Sequence, residues 1–371
     1  MTVTPETTDD GQVIDLSDVP VKRMRRLRTV GIVMTLLGIG LFSYFVYSVG
    51  VGEIADNIQK FGIDGFAIIL VIFFVRICFR AAAWSLSVFH PYSLPLRETV
   101  PAVVIGEAMS SMMPLGILVS GTAKAIAVRR KVPLVIGLSS VATENLFYSF
   151  TTSAFLIAGS ITFVRLFPLE PNWVITINVV IGLIAASFVF LILLIIRQWH
   201  FASEACEWLF QKGFLTSILG HGRVQVRLFE NFIYGYYRQH PRRFLPICLI
   251  EIVYHALGVA EVLFILSRIT ETGAVAVNAF LLESISRLLT IVFKLVPFSI
   301  GIDEAGAQFV AETVGLSVGI GVTLAIIRKG RILFWSAAGL LLIIKRGIRI
   351  RHFREFVEGR KLTSAVSSDK A

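Results

Sequence analysis

The sequence predicts an all-α integral membrane protein. Two observations carry this. Long apolar runs recur along the 371 residues, and the charged residues, only 16% of the chain, crowd between those runs. A soluble domain holds about a quarter of its residues charged. In lipid every backbone polar group must be satisfied within its own segment, so apolar runs of this length are read as helices. A spanning helix needs roughly 20 apolar residues. Residues 30–49 and 174–196 meet this with no charge in the first and none in the second.

The elements follow in order. Residues 1–20 are polar and acidic and read as a disordered cytoplasmic tail. Lys22, Arg23, Arg25, Arg26 and Arg28 then precede a first span at 30–49, which fixes a cytoplasmic entry by the positive-inside rule. Residues 50–62 read as an external loop and 65–88 as the returning span, with Arg76 and Arg80 inside it. Residues 99–121 are apolar but interrupted by Gly106, Glu107, Pro114, Gly116 and Gly121, and lead to Lys124, Arg129, Arg130 and Lys131, a cytoplasmic signature. Leaving and returning on one side makes this a re-entrant hairpin, where freed backbone groups must be covered by protein or water. Spans at 132–163, with Glu144 near its middle, and at 174–196 come next. The basic stretch 197–243 is amphipathic over 199–211 and 224–237 and is expected to lie along the cytoplasmic surface. A fifth span, 244–266, carries Glu251, His255 and Glu261. Residues 276–313 form a second broken hairpin around Pro297, Gly301, Asp303, Glu304 and Gly306, and a sixth span, 315–344, holds Arg328. The reading is six full spans plus two re-entrant hairpins, or eight hydrophobic segments, within a membrane domain at 21–347. A basic cytoplasmic tail fills 348–371. Both ends are expected in the cytoplasm of a bacterial inner membrane.

The two hairpins align. With Pro114 set on Pro297, Gly121 meets Glu304, and Glu144 falls within one position of Arg328. Each half then reads as span, broken hairpin, long span with a central charge. This is the pattern of an inverted repeat with broken helices, as in transporters whose sites lie between the halves. Two unrelated Gly/Pro-rich segments would give the same alignment by coincidence.

A charge at the bilayer centre costs at least ~2.5–3.5 kcal/mol on insertion scales, so each one needs a reason. Glu283, Arg287 and Lys294 share one helix face by their spacing. Glu283 and Arg287 suit a structural ion pair, and Lys294 leaves a positive charge that suits a cavity for an anion. Arg80 either lines such a cavity or snorkels to the surface. Asp303 and Glu304 either bind substrate or cap a new helix. Arg328 sits among Lys329 and Arg331 in an apolar run, which suits a water-filled or headgroup-filled cavity.

Net charge is +10, but no aromatic–basic nucleic-acid module is visible and the basic residues sit where a membrane topology puts them. Cys78, Cys206 and Cys248 have no metal or redox spacing. No metal, cofactor or catalytic motif is expected.

The motifs carry a resemblance. The segment 80–84 (RAAAW), the hairpin around Glu107, Pro114 and Gly121, the acidic Glu144, the stretch PFSIGIDEAG at 297–306 and the late Arg328 stand in the order seen in a known family. The chain resembles, over about 25–347, the transmembrane flippase domain of the lysylphosphatidylglycerol synthase/flippase family. That family commonly has a basic residue where Asn145 follows Glu144 here. Full-length synthases add a soluble aminoacyltransferase domain, for which a chain ending at Ala371 has no room. Free-standing members include proteins encoded with hopanoid lipid genes. The resemblance implies a flippase that moves a polar-headgroup lipid, such as an anionic or aminoacylated phospholipid, between leaflets. Arg80, Glu107, Glu144, Glu283, Arg287, Lys294, Asp303, Glu304 and Arg328 are the candidate headgroup-binding residues. A membrane-embedded lipid transferase, or a non-transporting partner of a lipid-synthesis complex, are the competing readings. The oligomeric state is left open.

Overall fold

The computed structural model describes residues 39–40, 42–112, 116–168, 170–197, 200–212, 227, 230–231, 233–270, 275–292, 299–317 and 319–346. Among these the chain is helical and holds no strand. Ten α-helices are numbered here: α1 Val51–Leu86, α2 Leu96–Met112, α3 Gly116–Ala127, α4 Leu134–Leu166, α5 Pro171–Arg197, α6 Phe201–Gln211, α7 Phe244–Ile269, α8 Ala276–Val292, α9 Ile302–Thr313 and α10 Ile320–Lys345. Val51–Leu86, Leu134–Leu166, Pro171–Phe190 and Pro241–Ile269 are long and apolar enough to cross a membrane. The first half of the expected first span, 30–49, falls outside the described residues, and 42–49 is helical. The expected last one corresponds to α10, whose 26 residues reach about 39 Å at 1.5 Å per residue, beyond a ~30 Å hydrocarbon core.

The expected loop at 50–62 is helical instead. The helix runs from Val51 and breaks only at Gly62, whose φ of 72° and ψ of 170° are open to glycine and strained for other residues. Periodicity over 51–61 was hidden by Glu53, Asp56 and Lys60, which lie on the outer face of a helix that buries Ile54, Asn57 and Phe61.

The packing of the helices falls into matching sets. Helix α1 lies against α7. Helices α2 and α3 pack together, as do α8 and α9; each pair has 17 residues in the first helix and 12 in the second. The first pair leans on α10 through α2, and the second leans on α4 through α8. Helix α3 meets the following α4, and α9 meets the following α10. Helix α5 packs on α4 outside this scheme, and much of its surface stays exposed, including Ile175, Val179 and Leu183.

Small residues allow the close crossings, as expected where helices associate by packing rather than by exclusion from water. At Gly321 an added Cβ would strike the backbone of Ala307 on α9. At Gly339 it would lie 2.9 Å from the carbonyl oxygen of Val104 on α2.

Polar contacts tie the two ends of the bundle. At one end Arg346 donates to the Ala127 carbonyl oxygen and to Glu98, both at 3.2 Å, which brings the start of α2 and the end of α3 to one place. Tyr236 and Arg243 both donate to the Leu86 carbonyl oxygen, at 2.7 and 3.2 Å, which fastens the segment before α7 to the end of α1. Burial pushes the Tyr236 phenol up to about 12, so it remains a donor. At the other end Arg268 pairs with Asp64 at 3.1 Å, and Gly319 lies against Val49 and Glu53. Of the expected amphipathic segment 224–237, Leu228, Phe229 and Phe232 lie outside the described residues, while Ile233 and Tyr236 are buried.

Candidate functional site

The charged residues of the apolar helices meet in the interior. Arg76 and Arg80 stand one turn apart on α1 and look to different partners. The Arg76 guanidinium donates to Glu261 on α7 at 2.9 Å and reaches Glu283 on α8 at 3.4 Å. Glu283 also accepts from Arg328 on α10 at 2.7 Å and from Arg287, one turn along its own helix. Glu261 accepts from Arg331 of α10 as well. Four arginines from three helices thus share two carboxylates that water does not reach. Gly258 makes the room: a Cβ there would lie 2.5 Å from a Glu283 oxygen and 3.0 Å from Arg76 Nη2.

A second cluster surrounds Arg80. Its Nε donates to Glu144 at 3.0 Å and its Nη2 donates to Asn145 at 3.3 Å. Lys124 on α3 pairs with the other Glu144 oxygen at 3.6 Å, and Glu107 on α2 stands 4.0 Å from Arg80. Arg80 does not snorkel; it is 9% exposed and held within the bundle. The departure at Asn145 is accommodated, since the amide oxygen accepts from Arg80. Lys124 corrects the sequence reading. It was grouped with Arg129, Arg130 and Lys131 as a cytoplasmic signature, yet it is buried while those three are exposed. It lies inside α3, three residues before the helix ends at Ala127, whereas Arg129, Arg130 and Lys131 follow that end.

The third cluster lies at the start of α9. Glu304 accepts from the Gly301 backbone N–H at 2.7 Å, and its other oxygen pairs with Lys329 at 2.7 Å. It therefore caps the helix and holds α10 at once. Asp303 accepts from the Thr290 hydroxyl at 3.1 Å and stands 3.8 Å from Lys329. Lys294, Pro114 and Pro297 lie outside the described residues.

Tyr148 on α4 joins the first two clusters. Its ring lies 4.0 Å from the Arg80 guanidinium carbon, and its hydroxyl accepts from Arg287 at 3.0 Å. Beside it is a cavity of about 230 Å³. Arg76, Arg287, Arg328 and Arg331 line it, with Glu107 and Asp303 as its acidic groups and Phe73, Tyr148, Tyr254 and Trp335 as its aromatic ones. Arg287 and Arg328 keep 13% and 18% of their side-chain surface open, whereas Arg76 keeps 2%. Of the four guanidiniums, those two are the more open.

Of the expected site residues, Glu107, Arg287, Asp303 and Arg328 line the cavity, Glu283 stands behind its arginines, and Arg80, Glu144 and Glu304 belong to neighbouring clusters. Glu144 and Arg328, at matching places in the alignment of the two hairpins, do not pair directly; each has its own partners. Arg76, Glu261, Arg331 and Tyr148 were not among the expected residues. Their signal was present in the sequence for three of them, as charges within apolar runs.

Helices of spanning length around a buried, ion-paired interior and a polar cavity define a multi-pass helical membrane protein with a charged core. Residues 29–339 match the family described as the lysylphosphatidylglycerol synthase TM region, and the chain belongs to that family. Comparisons with curated proteins and with solved structures return no match.

Proposed function

We propose that this protein moves a membrane lipid with an anionic headgroup between leaflets, with the headgroup passing through the arginine-lined cavity. The observation that carries this is the charge balance of the cavity wall. Arg76, Arg287, Arg328 and Arg331 share only Glu261 and Glu283, which leaves two positive charges facing a polar space. Around that wall Arg80 and Lys124 match Glu107 and Glu144, while Asp303 and Glu304 share Lys329, so among the described residues the clusters together keep a surplus of one positive charge. Arginine suits a phosphate because its planar fork offers paired donors and loses its water readily. Ser110 and Ser336 also line the same space. Membership in a family tied to membrane phospholipids agrees with a lipid partner.

The matching packing supports an internal repeat in which α1 to α4 correspond to α7 to α10. The equal lengths of the two helix pairs and the reciprocal α2–α10 and α8–α4 contacts argue for it. Both hairpins are read as re-entrant, because α2 starts and α3 ends at Arg346, while α8 follows α7 from the Arg268 end and α9 leads back to Gly319 there. The two hairpins enter from opposite ends, which makes the repeat inverted. The end bearing Arg129, Arg130, Lys131, Arg242, Arg243 and Arg346 is assigned to the cytoplasm of a bacterial inner membrane.

The test is reconstitution of the purified protein in liposomes that hold a labelled anionic phospholipid in one leaflet. Translocation above protein-free vesicles, lost in Arg328→Met, is the expected result. Chemical conversion of the lipid would move the assignment to a transferase. Neither translocation nor conversion, in protein shown to be folded, would leave a non-transporting role.

A further inference from the structure

Five carboxylates are completely buried: Glu144, Glu251, Glu261, Glu283 and Glu304. Four of them have a cation within ion-pairing distance. Glu251 has none among the described residues, and neither of its oxygens meets a hydrogen-bond donor there. It lies on α7, one turn before His255 on the same face. The charges that bear on it come from the helices around it: Arg80 of α1, Lys124 of α3, Glu144 of α4 and Arg287 of α8. From its own helix Cys248 and His255 are the titratable neighbours. Arg76 of α1 and Arg328 and Arg331 of α10 are taken up by Glu261 and Glu283. Arg80 and Lys124 are both turned to Glu144, with Glu107 next to Arg80. Arg287 is likewise held by Glu283, so among the described residues no cation stands within ion-pairing distance of Glu251. An ionised carboxylate buried without a partner is disfavoured strongly enough that the group takes a proton instead, and the adjoining Glu144 charge works in the same direction.

We propose that Glu251 is a proton-binding site: it holds a proton while Arg80 and Lys124 are engaged by Glu144, and releases it when either cation turns away. The release breaks the carboxyl O–H bond, leaves the electron pair on the carboxylate and hands the proton to water. His255 lies one turn along on the same face. Its Nε2 lies 3.2 Å from the Thr152 hydroxyl, and its Nδ1 has no partner among the described residues. The proton site does not depend on the lipid-moving reading; it concerns a residue outside the cavity wall. Its consequence for a flippase would be that lipid movement and protonation respond to one another.

Infrared difference spectroscopy on the purified protein in lipid nanodiscs tests the site directly. Spectra taken between about pH 5 and about pH 9, a range that lies above ordinary carboxyl titration, should show in the wild type a protonated-carboxyl band persisting well above the range of an exposed glutamate. Glu251→Gln should remove one carboxyl's worth of that band, and Glu251→Asp should retain it at a shifted frequency. A wild-type spectrum without the band at neutral pH overturns the proposal, as does a band left unchanged in Glu251→Gln. The aspartate variant serves if the glutamine variant fails to fold, because a band that does not move there belongs to another residue. Glu144→Gln gives the converse reading: with Glu144 neutral, Arg80 and Lys124 are released toward Glu251, and its band should titrate at least tenfold lower in proton affinity. These readouts need no lipid movement, so their failure is distinct from the failure of the translocation assay.

Discussion

Tyr148 accepts a hydrogen bond from Arg287 at 3.0 Å while Arg80 lies over its ring at 4.0 Å. One side chain thus joins the cavity wall to the cluster around Glu144. Removal of the hydroxyl in Tyr148→Phe keeps the aromatic face for Arg80 and frees Arg287. A neutral hydrogen bond to a charged group contributes about 1.5–3 kcal/mol, so a fall in thermal stability of that order at most is expected. Translocation should fall more than stability does. Equal behaviour of the variant and the wild type in translocation would show that the link carries no functional signal.

Glu283 is the point where Arg76, Arg287 and Arg328 meet. Glu283→Gln leaves those guanidiniums short of a counter-charge in a dry interior. Loss of one partner from a buried pair costs about 3–5 kcal/mol, and the expected result is a strong loss of stability measured by thermal or denaturant unfolding in detergent. A variant as stable as wild type would mean that water screens this network far more than its burial suggests.

Gly258 admits the same network by lacking a side chain. Gly258→Ala places a methyl group 2.5 Å from a Glu283 oxygen, and the carboxylate must move away from Arg76. Overpacking of this kind costs about 1–3 kcal/mol. Gly182→Ala on α5, where a Cβ meets nothing within 4 Å, is the matched control and should be neutral or slightly stabilising, as glycine is the poorer helix former. Equal effects at the two positions would refute the fit.

Much of this architecture was legible in the sequence because lipid punishes charge so heavily. Arg80, Glu144, Glu283, Arg287 and Arg328 could be singled out merely because each interrupts an apolar run. Their partners could not be named. Arg76 meets Glu261 across 185 positions, and Arg328 meets Glu283 across 45; no local period carries such pairings. Only Glu283 with Arg287, one turn apart, was foreseen as a pair, and it is present. Lys124 was misplaced because a lysine near three other basic residues reads as surface, although the helical turn places it inward. The helix at 51–61 was missed because its outer face is polar. Tyr148 gave no signal, since an aromatic residue in an apolar helix is unremarkable until its hydroxyl is seen to face Arg287.

Cytoplasmic placement of the segment around α6 has a chemical test. Cys206 is half-buried on α6, and Cys78 and Cys248 lie on α1 and α7. A protein in which Gly220 becomes the sole cysteine should resist a membrane-impermeant thiol reagent added outside intact cells and react once the membrane is opened. Strong labelling from outside would invert the topology from α7 onward.

Glu144 and Arg328 occupy matching places in the proposed repeat, yet they answer to different partners: Glu144 to Arg80 and Lys124, Arg328 to Glu283. A double-mutant cycle separates a shared site from two independent ones. Glu144→Gln should destabilise by freeing two cations, while Arg328→Met removes one of several guanidiniums around Glu283 and should cost less. Without shared partners, the double variant should be additive to within about 0.3–0.5 kcal/mol. Translocation should be non-additive: if both clusters serve one passage, either single change lowers it and the second change adds little. A large coupling in stability would mean that the two groups interact in a way their pairing does not show. Wild-type translocation in a folded double variant would show that both clusters hold the helices together and that the passage lies elsewhere.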